Sequence, residues 1–369
     1  MSNPPTKIAA ARDAAAAAVA EIADGTWFAV ISGTGRAEAV YPPDRTMVQA
    51  DARTRADATV AVAGLHPEGG TAISAWLQAA ASLFAGVPAT QCHAILLTDG
   101  KDEGERPAQL HAVIDSVTGR FQCDCRGVGA DWQVAELRGI ATALLGTVDL
   151  IADPADMAED FRTIMRAAMG RGVSDAQLRV WVPQDATLLF VRQVAPTIEE
   201  LTDRRVAVSA LLSDFPTGSW GDESRDYHVA VRVPAKPVGT EQLVSRVQLM
   251  VGGDMVSQGL VRATWSDDSS LTTRINPAVA HYTGQAELAS AIQDGLAAKA
   301  AGDDATATLK LGRAAQLAAQ TRNEDATAKL KKVVDIDDEA TGTVRLKRDV
   351  SKLDEMALDT SSTKTTRVR

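Results

Sequence analysis

His93-Ala94-Ile95-Leu96-Leu97-Thr98-Asp99-Gly100 is an apolar run closed by an acidic residue and a glycine. An unbroken apolar run of this length marks a strand buried on both faces, as in parallel sheets. Such a strand, 92–97, carries Asp99 to the rim of its sheet. Upstream, Gly69-Gly70-Thr71-Ala72-Ile73-Ser74 reads as a tight glycine turn that hands a threonine to the start of a helix, 72–84. The two stretches bring one hydroxyl, Thr71, and one carboxylate, Asp99, to the same sheet edge. Open α/β sheets bind ligands outside the carboxyl ends of their strands.

Working outward, Pro4-Pro5 opens a helix over 6–23, because proline suits a first helical turn. A strand at 27–32 turns at Gly33-Thr34-Gly35 into a hairpin partner, 36–41. A helix over 50–65 closes at His66-Pro67-Glu68-Gly69-Gly70. Past the central strand come helix 107–117, strand 121–127, helix 134–145, strand 147–151 and helix 155–169. This alternation predicts a doubly wound, mostly parallel α/β sheet for residues 1–172. Beyond it, strands at 178–182, 186–193, 206–212, 227–233, 243–251 and 260–265 succeed one another without helices, which predicts a β-sandwich over 173–275. Helices return over 276–357, with a short hairpin built from 332–336 and 342–346. The Ser/Thr-rich tail, 358–369, reads as disordered.

The charge balance is 38 basic against 48 acidic residues, a formal net charge of -10, which disfavours nucleic acid and anionic membrane as partners. Three cysteines, Cys92, Cys123 and Cys125, imply no disulfide framework, and a reducing cytoplasm is the expected compartment. No run approaches the ~20 apolar residues of a membrane span. The alanine-rich N-terminus is broken by Arg12, Asp13 and Glu21, so it reads as a helix rather than a secretory signal.

The pair Gly69-Gly70-Thr71 and Leu96-Leu97-Thr98-Asp99-Gly100 resembles the von Willebrand factor A (vWA) family, over roughly the first 170 residues. The resemblance implies a metal-ion-dependent adhesion site, with Thr71 as the second-loop hydroxyl and Asp99 as the third-loop carboxylate. It implies Mg²⁺ (or Mn²⁺ or Ca²⁺), held weakly, whose shell a protein partner completes with an acidic side chain. The family's first loop, Asp-x-Ser-x-Ser, does not occur near the N-terminus. Met1-Ser2-Asn3-Pro4-Pro5-Thr6-Lys7 is similar to the family's residues immediately beyond that motif, so the chain is expected to lack the first strand and its metal loop. The blocks 214–228 and 281–287 are similar to cytoplasmic actinobacterial vWA proteins, some of which sit near tellurite-resistance or stress genes. A non-enzymatic binding or scaffold role is the leading expectation.

Other constellations offer alternatives. Asp222, Glu223, Asp226 and His228 are dense enough for hydrolytic acid/base work, although no matching nucleophile accompanies them. Asp102 and Glu103 beside Asp99 suit cation steering or simple solvation. Cys123-x-Cys125 shares one strand face and, with Cys92, could offer three thiolates; small buried core cysteines are the plainer reading. Asp335-x-Asp337-Asp338 lacks the glycine and terminal glutamate of a Ca²⁺ loop. Thr360, Ser361, Ser362, Thr363, Thr365 and Thr366 lie in the basic tail, where phosphorylation would create a handle for a phosphopeptide-reading partner. A metal-independent scaffold with a degenerate rim is the remaining alternative.

Overall fold

A computed structural model describes residues 5–66, 69–102 and 105–367. The chain divides into two compact units, Met1–Gly172 and Val173–Arg369.

The first unit is α/β. Its parallel sheet has the order β5-β6-β7, from β5 (His93–Thr98), β6 (Gln122–Val128) and β7 (Val148–Ile151). Helices α4 (Pro107–Val117) and α5 (Val134–Ala143) make the crossovers that parallel neighbours require. The central strand, β6, is buried along almost its whole length, Cys123 and Cys125 completely. On one face Ile95, Leu97, Val128 and Ile151 pack with Ala14 and Ala18 of α1 (Pro5–Ala20) and with Met157 and Phe161 of α6 (Met157–Met169). Alternation sends Leu96, Cys123 and Cys125 to the opposite face, and their burial shows that it too is covered, as in a doubly wound sheet.

The amino-terminal strands are separate from that sheet. β1 (Trp27–Phe28) pairs with β4 (Val48–Gln49), and β2 (Val30–Gly33) pairs with β3 (Ala37–Tyr41), both antiparallel. Among the described residues no ladder joins either pair to β5. Asp51 caps α2 (Ala52–Ala63) in a full capping box with Thr54. The glycine turn then leads to α3 (Ile73–Ala85).

The second unit opens with a sandwich. Five strands lie in the order β11-β12-β8-β14-β15: β8 (Val173–Trp181), β11 (Val206–Ser209), β12 (Leu212–Trp220), β14 (Glu241–Val251) and β15 (Asp254–Thr264). They face a smaller sheet, β10-β9-β13, made of β9 (Thr187–Ala195), β10 (Glu199–Glu200) and β13 (Asp226–Arg232). Phe215, Val180 and Val191 centre the core between them. The single strand expected at 206–212 is two strands joined by a tight turn. Residues 213–220 continue as β12, next to β8, because Pro216 and Gly218 fall at register shifts and cost the ladder little. The strand expected at 260–265 begins at Asp254.

After a short α7 (Ser269–Thr272), the helices α8 (Pro277–Ala300), α9 (Asp304–Gln320), α10 (Glu324–Val333) and α11 (Lys352–Ser361) pack around Ile292, Leu311 and Leu330. The hairpin β16 (Val334–Asp338) with β17 (Thr343–Leu346) closes the same core. Sandwich and helices fall in one compact unit.

The tail is not disordered over the described residues. α11 runs to Ser361, and Thr360, Ser361 and Ser362 are buried, their hydroxyls donating to carbonyls of Met356, Ala357 and Asp359. Thr365 N–H donates to Pro196 O at 3.0 Å and its hydroxyl to Val194 O at 2.7 Å. The Gln285 amide both donates to Thr366 O and accepts from Thr366 N–H. Arg367 closes the strap with two contacts on Asp226. Apolar composition alone underestimates this order, because polar side chains meeting backbone groups hold it. No described helix is long and apolar enough to cross a membrane.

Candidate metal centre

β5 ends in a turn that its own last residue ties. The Thr98 hydroxyl donates to Gly100 O at 2.9 Å and accepts from Gly100 N–H at 3.2 Å. Asp99 is therefore presented at the carboxyl end of the strand. The second loop is fixed against the β2–β3 turn. Gly70 has φ +95°, and a Cβ there would lie 2.9 Å from Gly35 N, so only glycine fits. Ala72 N–H and the Trp76 indole both donate to Thr34 O, at 3.1 and 2.8 Å.

These two anchors set the Thr71 hydroxyl against the turn that follows β5. The Thr71 hydroxyl oxygen would be 3.1 Å from a Cβ on Gly100, which puts it beside the residue that succeeds Asp99. Thr71 does not cap α3. Ala72 holds the cap position and makes no side-chain cap bond. The cap comes from across the chain: Ser74 N–H donates to Glu105 Oε2 at 3.0 Å, and the Ser74 hydroxyl donates to Glu105 Oε1. A carboxylate there suits the positive end of the helix. Burial acts to raise the Glu105 carboxyl, but hydrogen bonds involving Asp102 and Ser74 outweigh it and hold it below the ordinary range. Glu136, nearby, is pushed up by burial. Glu103 lies outside the described residues, and Asp102 accepts from Glu105 N–H at 3.2 Å.

Sequence reasoning missed one participant. The Lys7 ammonium lies 3.6 Å from Asp99 Oδ2 and would be 3.3 Å from a Cβ on Gly129, just beyond β6. A positive charge thus already sits over the ends of β5 and β6. Only its position at the start of α1 could have hinted at this.

The other clusters are put to structural use. Cys123 Sγ lies 4.0 Å from Cys125 Sγ, both fully buried, and the Cys123 thiol is pushed well up, first by its hydrogen bond with Cys125 and then by burial. No group of three or more His, Cys, Asp or Glu able to hold a metal occurs among the described residues, so the three-thiolate and Asp335–Asp338 readings have no counterpart. In the acidic loop, Arg225 donates to Thr217 O, Ser219 O and Glu223, while Asp226 accepts from Tyr282 and Arg367. The His228 imidazole is pushed down by burial and stacks edge-on with Tyr282.

Known proteins share this fold. Residues 1–150 match the von Willebrand factor type A domain, and residues 316–362 match the von Willebrand factor type A C-terminal domain. A solved von Willebrand factor type A protein from Catenulispora acidiphila is 49% identical, with a TM-score of 0.94, covering 99% of this chain and 87% of that one. The chain belongs to the von Willebrand factor A family. The vWA fold also occurs in the ArnB paralog VWA2 of Sulfolobus acidocaldarius, with 14% identity, a TM-score of 0.54 and coverage of 98% and 84%. Uncharacterized protein sll0103 of Synechocystis sp. is 27% identical over 162 residues, which are 43% of this chain but only 38% of that protein. In this vWA protein the rim at Thr71 and Asp99 sits at the carboxyl end of the parallel sheet.

Proposed function

We propose that this vWA protein is a non-enzymatic binding module that captures a protein partner through a divalent cation, Mg²⁺ in the first instance, at the Thr71–Asp99 rim. The observation that carries the reading is the approach of the Thr71 hydroxyl to Gly100, beside Asp99. Two oxygen donors from separate turns suit a hard cation that keeps several waters. They fit a weak site and not an all-protein cage. The cation would supply an electrophilic centre for a partner's carboxylate, and Thr71 and Asp99 would orient it. β5 has no hydrogen-bonded neighbour on its second edge among the described residues, which supports the reading that the first strand of the family and its Asp-x-Ser-x-Ser loop are not among them. By the likeness of its 214–228 and 281–287 blocks, we place the protein in the cytoplasm, in a stress or tellurite-resistance setting. The engagement of Arg225, Asp226 and Arg367 with one another's surroundings supports a structural rather than hydrolytic acidic loop. Thr366, exposed on the strap, is the hydroxyl we assign to a phosphopeptide-reading partner.

Lys7 favours a second reading, in which its ammonium stands in for the metal and binding is metal-independent. Titration with Mn²⁺, monitored by its electron paramagnetic resonance signal, separates the two. The metal reading expects one weak site, lost in Asp99→Ala and tightened in Lys7→Ala. Absence of bound Mn²⁺ in both the parent and Lys7→Ala would leave only the metal-independent reading.

A further inference from the structure

β15 is the edge of the five-stranded sheet, and ten of its eleven residues are exposed, all but Ala263. The sheet opposite has only three strands, so β15 overhangs it. A Cβ on Gly259, mid-strand, would meet nothing within 4 Å. Large apolar side chains lie bare here: Met255, Val256, Leu260 and Val261 are 50%, 62%, 50% and 46% exposed. Natural edge strands are usually blunted by lysine, proline, inward-pointing charge or a β-bulge. β15 contains neither lysine nor proline.

The sequence of this edge is complementary to itself. Laid antiparallel on a second copy with Gln258 opposite Gln258, Val256 meets Leu260 and Met255 meets Val261, each twice. All four bare apolar residues are then matched. In the same register Asp254 meets Arg262 at both ends, and neither makes an ion pair among the described residues. Opposite charges and aliphatic pairs facing each other across strands are the contacts that stabilise a ladder. A bulge leaves Val256 extra relative to β14, between the pairs Leu249–Ser257 and Met250–Met255. It sits two residues from the dyad and offsets the register beyond it by one residue, so Asp254 lies diagonal to Arg262, a spacing still within reach of a long side chain.

We propose that two copies of this chain join β15 to β15 about a twofold axis at Gln258, making one continuous sheet across the dimer. The interaction is isologous, so it closes at two copies. Sedimentation equilibrium over the micromolar range should show a concentration-dependent dimer. Asp254→Arg should weaken it by about tenfold, and Asp254→Arg combined with Arg262→Asp should restore it. Gln258→Cys should yield a disulfide-linked dimer on mild oxidation that the parent, with its own cysteines, does not form. All these positions are exposed, so the variants report association and not folding. A monomer at every concentration would overturn the proposal. So would a dimer indifferent to Asp254→Arg, or one broken equally by Val206→Lys on the opposite edge, which would mean open-ended β11-to-β15 pairing.

Discussion

Asp124 is a buried carboxylate in β6, the central strand of the parallel sheet. Only 3% exposed, it accepts from Thr147 N–H and the Thr147 hydroxyl at 2.7 and 2.6 Å, faces His93 Nε2 at 2.7 Å, and lies 3.7 Å from Arg171. Burial alone would raise its carboxyl. The hydrogen bond and charge of His93, with Thr147 and Arg126, outweigh this and hold it well below the carboxylate range. Asp124→Asn keeps one oxygen for Thr147 but removes the charge that His93 and Arg171 face. Breaking a buried pair costs about 3–5 kcal/mol. With one acceptor retained, the loss should fall near the lower end, about 3 kcal/mol, against a typical total of about 5–15 kcal/mol. For a unit of this size that is a fall in melting temperature of about 6–12 °C. The sign with pH comes from the depressed carboxyl. Its stabilisation is complete above the unfolded value, about 3.9, and is lost as pH falls towards the folded value. The parent should therefore destabilise on acidification more steeply than Asp124→Asn, the gap between them narrowing as pH falls below the unfolded carboxyl value. Urea unfolding at several pH values, monitored by circular dichroism, measures both. Two curves of equal midpoint and equal acid slope would refute the reasoning.

Two further outcomes are expected. Gln285→Leu removes an almost fully buried amide that pairs with both backbone groups of Thr366, and should cost about 1–3 kcal/mol; hydrogen exchange at residues 363–366 should rise sharply, and unchanged protection would show that the strap is held otherwise. Burial pushes Tyr227 up to about 12. Its contribution to stability is whole below the unfolded value near 10 and drains as pH rises towards 12. In a spectrophotometric titration one tyrosine should ionise last, and it should be absent in Tyr227→Phe; an unchanged late phase would assign it elsewhere.

β6 and β7, which carry Asp124, Arg126 and Asp149, were marked by their place between helices, whereas β5 was legible because an apolar run, Ala94–Leu97, is closed by charge and glycine at Asp99–Gly100. The same pattern marked Thr71 and Asp99 as rim residues, since a strand end joined to a glycine turn leaves few other places for them. β12 was illegible for a local reason: Pro216 and Gly218 read as breakers, and only the neighbouring ladder shows that each falls where the register slips. The order of the tail escaped for the opposite reason. Serine and threonine are counted as loop formers, yet here their hydroxyls satisfy carbonyls of α11 and of the strand end at Val194.

Local pattern, period and turn chemistry settled the helices and parallel strands of the first unit, because those preferences act over a few neighbours. Contacts between residues far apart in the chain were decided only in three dimensions. Lys7, at the start of α1, meets Asp99 beyond β5, and Arg367 reaches Asp226 across 141 positions. Charge–charge and polar contacts of this kind leave no periodic trace, since either partner alone looks like an ordinary solvated side chain. They depend on how the packed core sets the distance between two surfaces, which is a property of the whole fold.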